Sequence, residues 1–190
     1  MEIVIIAILI LINGFLSMSE MAVVSARKSK LETESRQGNK KSQKALELAN
    51  NPDDFFSTLQ IGITLIGILT GLFSGEAFAE ELSKVLSLWF PSIEAYSFGI
   101  SKTIIVIFVT YLTLVFGELF PKRLGLSKAE NIAKFIARPM MILSKVCYPL
   151  VWVLAKSSSF TASLFGLNKI KDAPVTEEEI KNMMKESLED

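Results

Sequence analysis

The chain has 190 residues, half of them hydrophobic, and its 20 Lys and Arg balance 20 Asp and Glu for a formal net charge of zero. Such a balance offers no electrostatic footprint for nucleic acid. With no His and a single Cys, the chain lacks the donors favoured by zinc, copper and iron sites and can form no internal disulfide.

A first block, Ile3 to Ser19, holds no charged residue, and with its flanks it predicts a helix over 3–26. At roughly 1.5 Å of rise per residue, that length crosses a hydrocarbon core of roughly 30 Å. The block starts acidic at Glu2 and has no small-residue cleavage site, so it reads as a retained span rather than a secretory signal. Residues 27–54 follow, highly charged and divided at Gly38-Asn39. They read as two short helices whose Lys side chains face lipid headgroups, or as a solvated helical hairpin.

Two further uncharged blocks, Phe55 to Gly75 and Thr103 to Gly117, predict spans over 55–80 and 99–121. Beyond them, Ile136 to Ala155 is apolar but interrupted by Arg138, Pro139, Lys145 and Pro149. The uncharged pieces are too short to span, which predicts a juxtamembrane helix over 128–150 and an interfacial helix and linker over 151–174. A fourth span stays open as the alternative, because neighbours in a bundle can satisfy carbonyls freed by proline. Thr176 and Glu179 form a capping box for an acidic helix over 175–190.

The fold class expected is therefore an all-α membrane protein with three transmembrane helices and interfacial or belt helices on the cytoplasmic side. Arg27, Lys28, Lys30, Arg36, Lys40, Lys41 and Lys44 lie between the first two spans, whereas only Lys84 and Lys102 lie between the second and third. The positive-inside rule then sets the N-terminus outside and the C-terminus in the cytoplasm, with the plasma membrane as the expected location.

The chemistry concentrates in the spans. Asn13, Ser17 and Glu20 follow one another at offsets of four and three, which places them on one helical face. Gln60, Thr64 and Gly67 repeat those offsets in the second span, with Gly62 and Gly71 nearby. In the third, Gly117 and Glu118 precede Pro121, which has no N–H to give the helical ladder. Counted from the outer ends of their helices, Glu20 and Glu118 lie about 26 and 27 Å deep. Counted from the inner end, Gln60 and Thr64 lie about 8 and 14 Å deep, so all four share the cytoplasmic half of the bilayer. Hydroxyl, amide, carbonyl and carboxylate oxygens suit a hard cation such as Mg²⁺, Ca²⁺ or Na⁺.

Other readings of the same residues stand beside this one. Ser17-x-x-Glu20 matches a capping box that restarts a helix. Asn13, Gln60 and Thr64 can serve as interhelical hydrogen-bond partners, and Gly62, Gly67 and Gly71 as close-packing positions. Glu118 can snorkel to the interface near Lys122 and Arg123. Without His, no pairing of nucleophile and base is visible, so an enzyme is not expected.

Three stretches, Asn13-Gly-Phe-Leu-Ser-Met-Ser-Glu20, Thr58-Leu-Gln-Ile-Gly-Ile-Thr-Leu-Ile-Gly67 and Val115-Phe-Gly-Glu-Leu-Phe-Pro-Lys122, resemble the transmembrane domain of the cyclin M (CNNM) and bacterial CorC/HlyC-like Mg²⁺ transporters. The resemblance implies a homodimer in the lipid bilayer, with a Mg²⁺ site inside each three-helix unit and Na⁺ as the coupling ion. It also implies a following pair of cystathionine-beta-synthase-type (CBS) modules, to which the acidic helix would connect. On this footing the expected ligands are Asn13, Ser17, Gln60, Thr64, Gly117 and Glu118, supported by Ser19, Glu20, Gly62, Gly67, Pro121 and Lys122. Some relatives carry asparagines where this chain has Ile63 and Gly67, which shifts their task to Gln60, Thr64 or a backbone carbonyl. The expected function is Mg²⁺ export by secondary transport; the alternatives are a Mg²⁺ channel and a membrane-bound cation sensor or scaffold.

Overall fold

In the computed structural model, residues 2–74 and 77–165 are described, and every regular element among them is helical. The acidic helix expected over 175–190 lies outside the described residues. Helix α1 (Glu2–Ser25) is followed by α2 (Lys28–Arg36), α3 (Lys40–Asn50), α4 (Pro52–Ser74) and α5 (Ala77–Trp89). A 3₁₀ turn (Pro91–Tyr96) leads into α6 (Ser97–Leu114), a π-helical turn (Val115–Leu119), α7 (Phe120–Ser127) and α8 (Ala129–Leu164). By contact the chain divides into two units, Met1–Tyr148 and Pro149–Asp190.

Helix α1 is the hub. Leu16 and Val23 from α1 are buried with Leu48 and Ala49 of α3, Phe55, Leu59 and Ile66 of α4, and Ile136 and Met140 of α8. A second cluster consists mostly of alanines, with Ala26, Leu31, Ala45, Ala129, Ala133 and Ala137 buried together. Such small side chains let the α2–α3 hairpin lie close to the start of α8. The hairpin turns at Gly38, whose φ of 91° lies in the region glycine tolerates. Asn39 then caps α3, its side chain accepting from the backbone N–H groups of Lys41 and Ser42.

Polar latches tie the hairpin to α8. Arg27 donates to Glu130 at 2.7 Å, while Glu34 accepts from Ser42 Oγ at 2.6 Å and from Lys134 Nζ at 2.9 Å. The Ser42 hydroxyl first, and the Lys134 ammonium second, hold the Glu34 carboxyl below its ordinary range.

Three readings change. Ser17-x-x-Glu20 does not restart a helix, because α1 runs unbroken through both residues. The expected division between a juxtamembrane helix ending at 150 and a separate interfacial helix also does not occur; α8 is a single helix of 36 residues that runs through Pro139 and Pro149. Each proline removes only one donor from the ladder, and Ile136, Ala137 and Met140, all fully buried, hold the helix through that region. By length and composition, four segments can cross a membrane among the described residues: Ile3–Ser25, Pro52–Trp89, Glu94–Ser127 and Ala129–Leu164. The three-span expectation is not upheld by this count. In the most apolar window of the third segment only 6% of residues are buried, so its Ile104, Ile107, Phe108 and Leu114 require lipid or another protein surface to cover them.

Candidate cation site

The site begins with a missing proton. In a regular helix the N–H of residue 121 would donate to the carbonyl of Gly117, but residue 121 is proline. The chain widens just before it, and the N–H of Phe120 reaches back five residues to Val115 in a π-turn. Turns of this kind leave helical carbonyls short of donors and recur at functional sites. The Gly117 carbonyl is met from across the bundle, where Asn13 Nδ2 donates to it at 2.9 Å. This bond fixes the amide orientation, since the reverse would set two acceptor oxygens against each other.

Close approach of α1 makes the contact possible. A Cβ on Gly14 would come within 3.0 Å of the Phe116 carbonyl and of Pro121 Cγ, and one on Gly117 within 3.2 Å of Asn13 Nδ2. A Cβ on Gly125 would lie 2.6 Å from the Met18 carbonyl. Glycines on both sides therefore bring the backbones of α1 and α7 together. The pattern was latent in the sequence, since Gly125 follows Pro121 by one helical turn, but sequence reasoning did not select Gly14 or Gly125.

With its amine committed, Asn13 has Oδ1 left over, buried and without a hydrogen-bond partner. A buried acceptor in this condition normally finds a donor, a water or an ion. Ser17, one turn further along α1, is also buried, at 1% exposure. The Ser19 hydroxyl donates to the Phe15 carbonyl within its own helix.

The charged part of the site lies further along the same two segments, Glu20 one turn past Ser17 and Lys122 just past Pro121. Lys122 Nζ donates to Glu118 Oε1 at 2.9 Å and lies 3.5 Å from Glu20 Oε2. All three side chains are between 31% and 41% exposed. No group of three or more His, Cys, Asp or Glu able to hold a metal occurs among the described residues. Any cation held here must therefore rely on amide, hydroxyl and carbonyl oxygens as well as carboxylate. That donor set matches a hard ion.

The second span contributes differently. Gly62 faces α1, its position 2.8 Å from Leu16 Cδ1 for an added Cβ, whereas Gln60, Thr64 and Gly67 lie on the exposed side of α4. A Cβ at Gly67 or Gly71 meets nothing within 4 Å. The inward polar residues of α4 are Thr58 and Thr70, and each bonds back to its own helix, to Asp54 and Ile66 respectively. The structure thus brings Asn13, Ser17, Gly117, Glu118, Glu20, Pro121 and Lys122 to the junction of α1 with the π-turn and α7. It does not bring Gln60 or Thr64 there.

Residues 4–190 match the family model described as the cyclin M transmembrane N-terminal domain. The chain belongs to the CNNM family. Among its relatives, UPF0053 protein sll0260 of Synechocystis is 42% identical over 189 residues, covering all of this chain and 42% of the relative. UPF0053 protein YhdT of Bacillus subtilis is 30% identical, covering 98% of this chain and 41% of that protein. The polyamine export protein of Escherichia coli K12 is 32% identical over 179 residues, covering 94% of this chain and 40% of that protein. The chain thus spans about two fifths of the length of these relatives, and the matching part is a membrane domain.

Proposed function

We propose that this chain is the membrane domain of a cation exporter whose cargo is Mg²⁺, bound where α1 meets the π-turn. The observation that carries the reading is the unpartnered Asn13 Oδ1 beside a carbonyl deprived of its helical donor by Pro121. Both oxygens are fixed before an ion arrives, so the cost of ordering them is met during folding. Glu118 supplies formal charge to offset dehydration of a doubly charged ion, and Ser17 adds a neutral oxygen one turn away. Release needs the same site to open to the other side, by rocking of α1 against the π-turn and α7.

The wider arrangement is part of the proposal: a homodimer, coupling to a Na⁺ gradient, a cytoplasmic α2–α3 hairpin and a CBS-module pair following the acidic segment. An open groove between α4 and α6, lined by Gly67, Thr70, Thr110 and Thr113, offers a surface for the second copy. Mg²⁺ efflux from proteoliposomes, with and without an imposed Na⁺ gradient, tests transport and coupling together. Glu118→Gln should abolish the flux while leaving insertion intact; undiminished flux would remove Glu118 from the site.

A second reading takes an organic ammonium as the cargo. It is favoured by a specific contact, since the two carboxylates already hold the primary ammonium of Lys122, and by the polyamine export named for the Escherichia coli relative. Export of a linear diamine from the same vesicles, at rates exceeding those for Mg²⁺, would select it.

A further inference from the structure

Lys122 stands where a cargo cation would be expected to stand. Its ammonium bridges Glu118, four residues before it, and Glu20, which comes from a different helix. An ordinary helix-surface pair would need only the first contact. The bridge also sets the local charge. With Lys122 seated, the two carboxylates and one ammonium sum to a single negative charge; with Lys122 withdrawn, the two carboxylates match a divalent cation. The stem is long and unbranched, with a strongly hydrated head able to swing outward, and the side chain is already 31% exposed.

Resting on the export reading above, we propose that Lys122 is a tethered competitor for the cargo. Its ammonium occupies Glu118 and Glu20 in the empty carrier, and the incoming cation displaces it. Lys122 thereby weakens resting affinity, which favours release. It also leaves no uncompensated carboxylate pair near the bilayer in the empty state, where buried or half-buried charge is costly. Lys122 is a positioning residue in this scheme and does not ligate the cargo.

Displacement makes a prediction opposite to ordinary ligand protection. The purified chain is treated with a small amine-acylating reagent in MgCl₂ or in KCl of equal ionic strength, and modification is read by peptide mass spectrometry. Acylation of Lys122 should rise about threefold or more in MgCl₂, since each of two partly exposed ion pairs holds the ammonium modestly. Lys134, tied to Glu34 in the hairpin latch, should not respond. Unchanged or reduced Lys122 acylation overturns the proposal. In parallel, Lys122→Met should tighten Mg²⁺ binding about three- to tenfold, the effect of removing a competitor worth two such pairs. Lys122→Arg, which keeps the charge, should stay near the native affinity. Unchanged or weaker binding by a Lys122→Met protein that melts normally also overturns it, and the acylation result on the native chain decides the case if that variant misfolds. Glu118→Gln separates the two levels. Retained Mg²⁺ affinity in that variant removes Glu118 from the site and with it the footing of this proposal, whereas lost affinity combined with unresponsive Lys122 acylation defeats only the role of Lys122.

Discussion

Gly125→Ala should be among the most damaging single-methyl changes in the chain, although alanine is the better helix former. The added Cβ would lie 2.6 Å from the Met18 carbonyl, 3.1 Å from Met21 Cβ and 3.2 Å from the Ala22 nitrogen. The first distance is about 0.8 Å short of the 3.4 Å at which ordinary contact begins. Two of the three opposing atoms are backbone, so no rotamer change relieves the clash, and α7 must move away from α1. Overpacking of this kind costs about 1–3 kcal/mol, against a helix-propensity gain of about 0.5–1 kcal/mol. The net loss is therefore up to about 2.5 kcal/mol. Gly99→Ala is the matched control, since its Cβ would meet nothing within 4 Å, and it should stabilise by up to about 1 kcal/mol. Thermal unfolding of both variants in the same detergent measures the difference. The displacement also shifts Lys122 relative to Glu20, so Gly125→Ala should change Mg²⁺ affinity where Gly99→Ala does not. Equal melting temperatures for the two variants would refute the close approach of α1 and α7.

Asn13→Leu removes both the donor to Gly117 and the orphan acceptor; it should reduce Mg²⁺ affinity at least tenfold, about 1.4 kcal/mol, in isothermal titration. Its stability should fall by only about 1 kcal/mol, because one hydrogen bond is lost while an unsatisfied oxygen is also removed. Glu34 has its carboxyl pKa lowered by Ser42 and Lys134, so its contribution is fully present at neutral pH and is lost as pH falls through that lowered value. Glu34→Gln should accordingly flatten the acid limb of a stability-against-pH curve measured by thermal unfolding. For topology, Gln43→Cys and Ser92→Cys in a background lacking Cys147 should be labelled from opposite sides of the membrane, Gln43 from the cytoplasm. Gln43 serves better than its neighbour Ser42, which is fully buried; the reverse pattern would overturn the assigned orientation.

What the sequence determined by itself is local in origin. Uncharged blocks long enough to cross a bilayer require helices, because no other open structure satisfies its backbone there. The single face formed by Asn13, Ser17 and Glu20 follows from helical periodicity alone. A carbonyl left without its donor at Gly117 could be read from proline four residues later. Gly38-Asn39 carries the chemistry of a helix divide, a residue tolerant of positive φ followed by a strong N-cap.

Rotation and partnership were decided only by the tertiary structure. Helix α4 carries polar residues on more than one face, Thr58 and Thr70 as well as Gln60 and Thr64, so its periodicity names no inward face; the fit of Gly62 against Leu16 turns Gln60 and Thr64 outward. The course of α8 through Pro139 depends on side chains buried against other helices, Ile136, Ala137 and Met140, and no local rule counts those. The contacts that define the candidate site, Asn13 with Gly117 and Glu20 with Lys122, join residues about a hundred positions apart. Their pairing is set by how closely Gly14 and Gly125 allow two backbones to approach, a property of packed surfaces that no single helix contains.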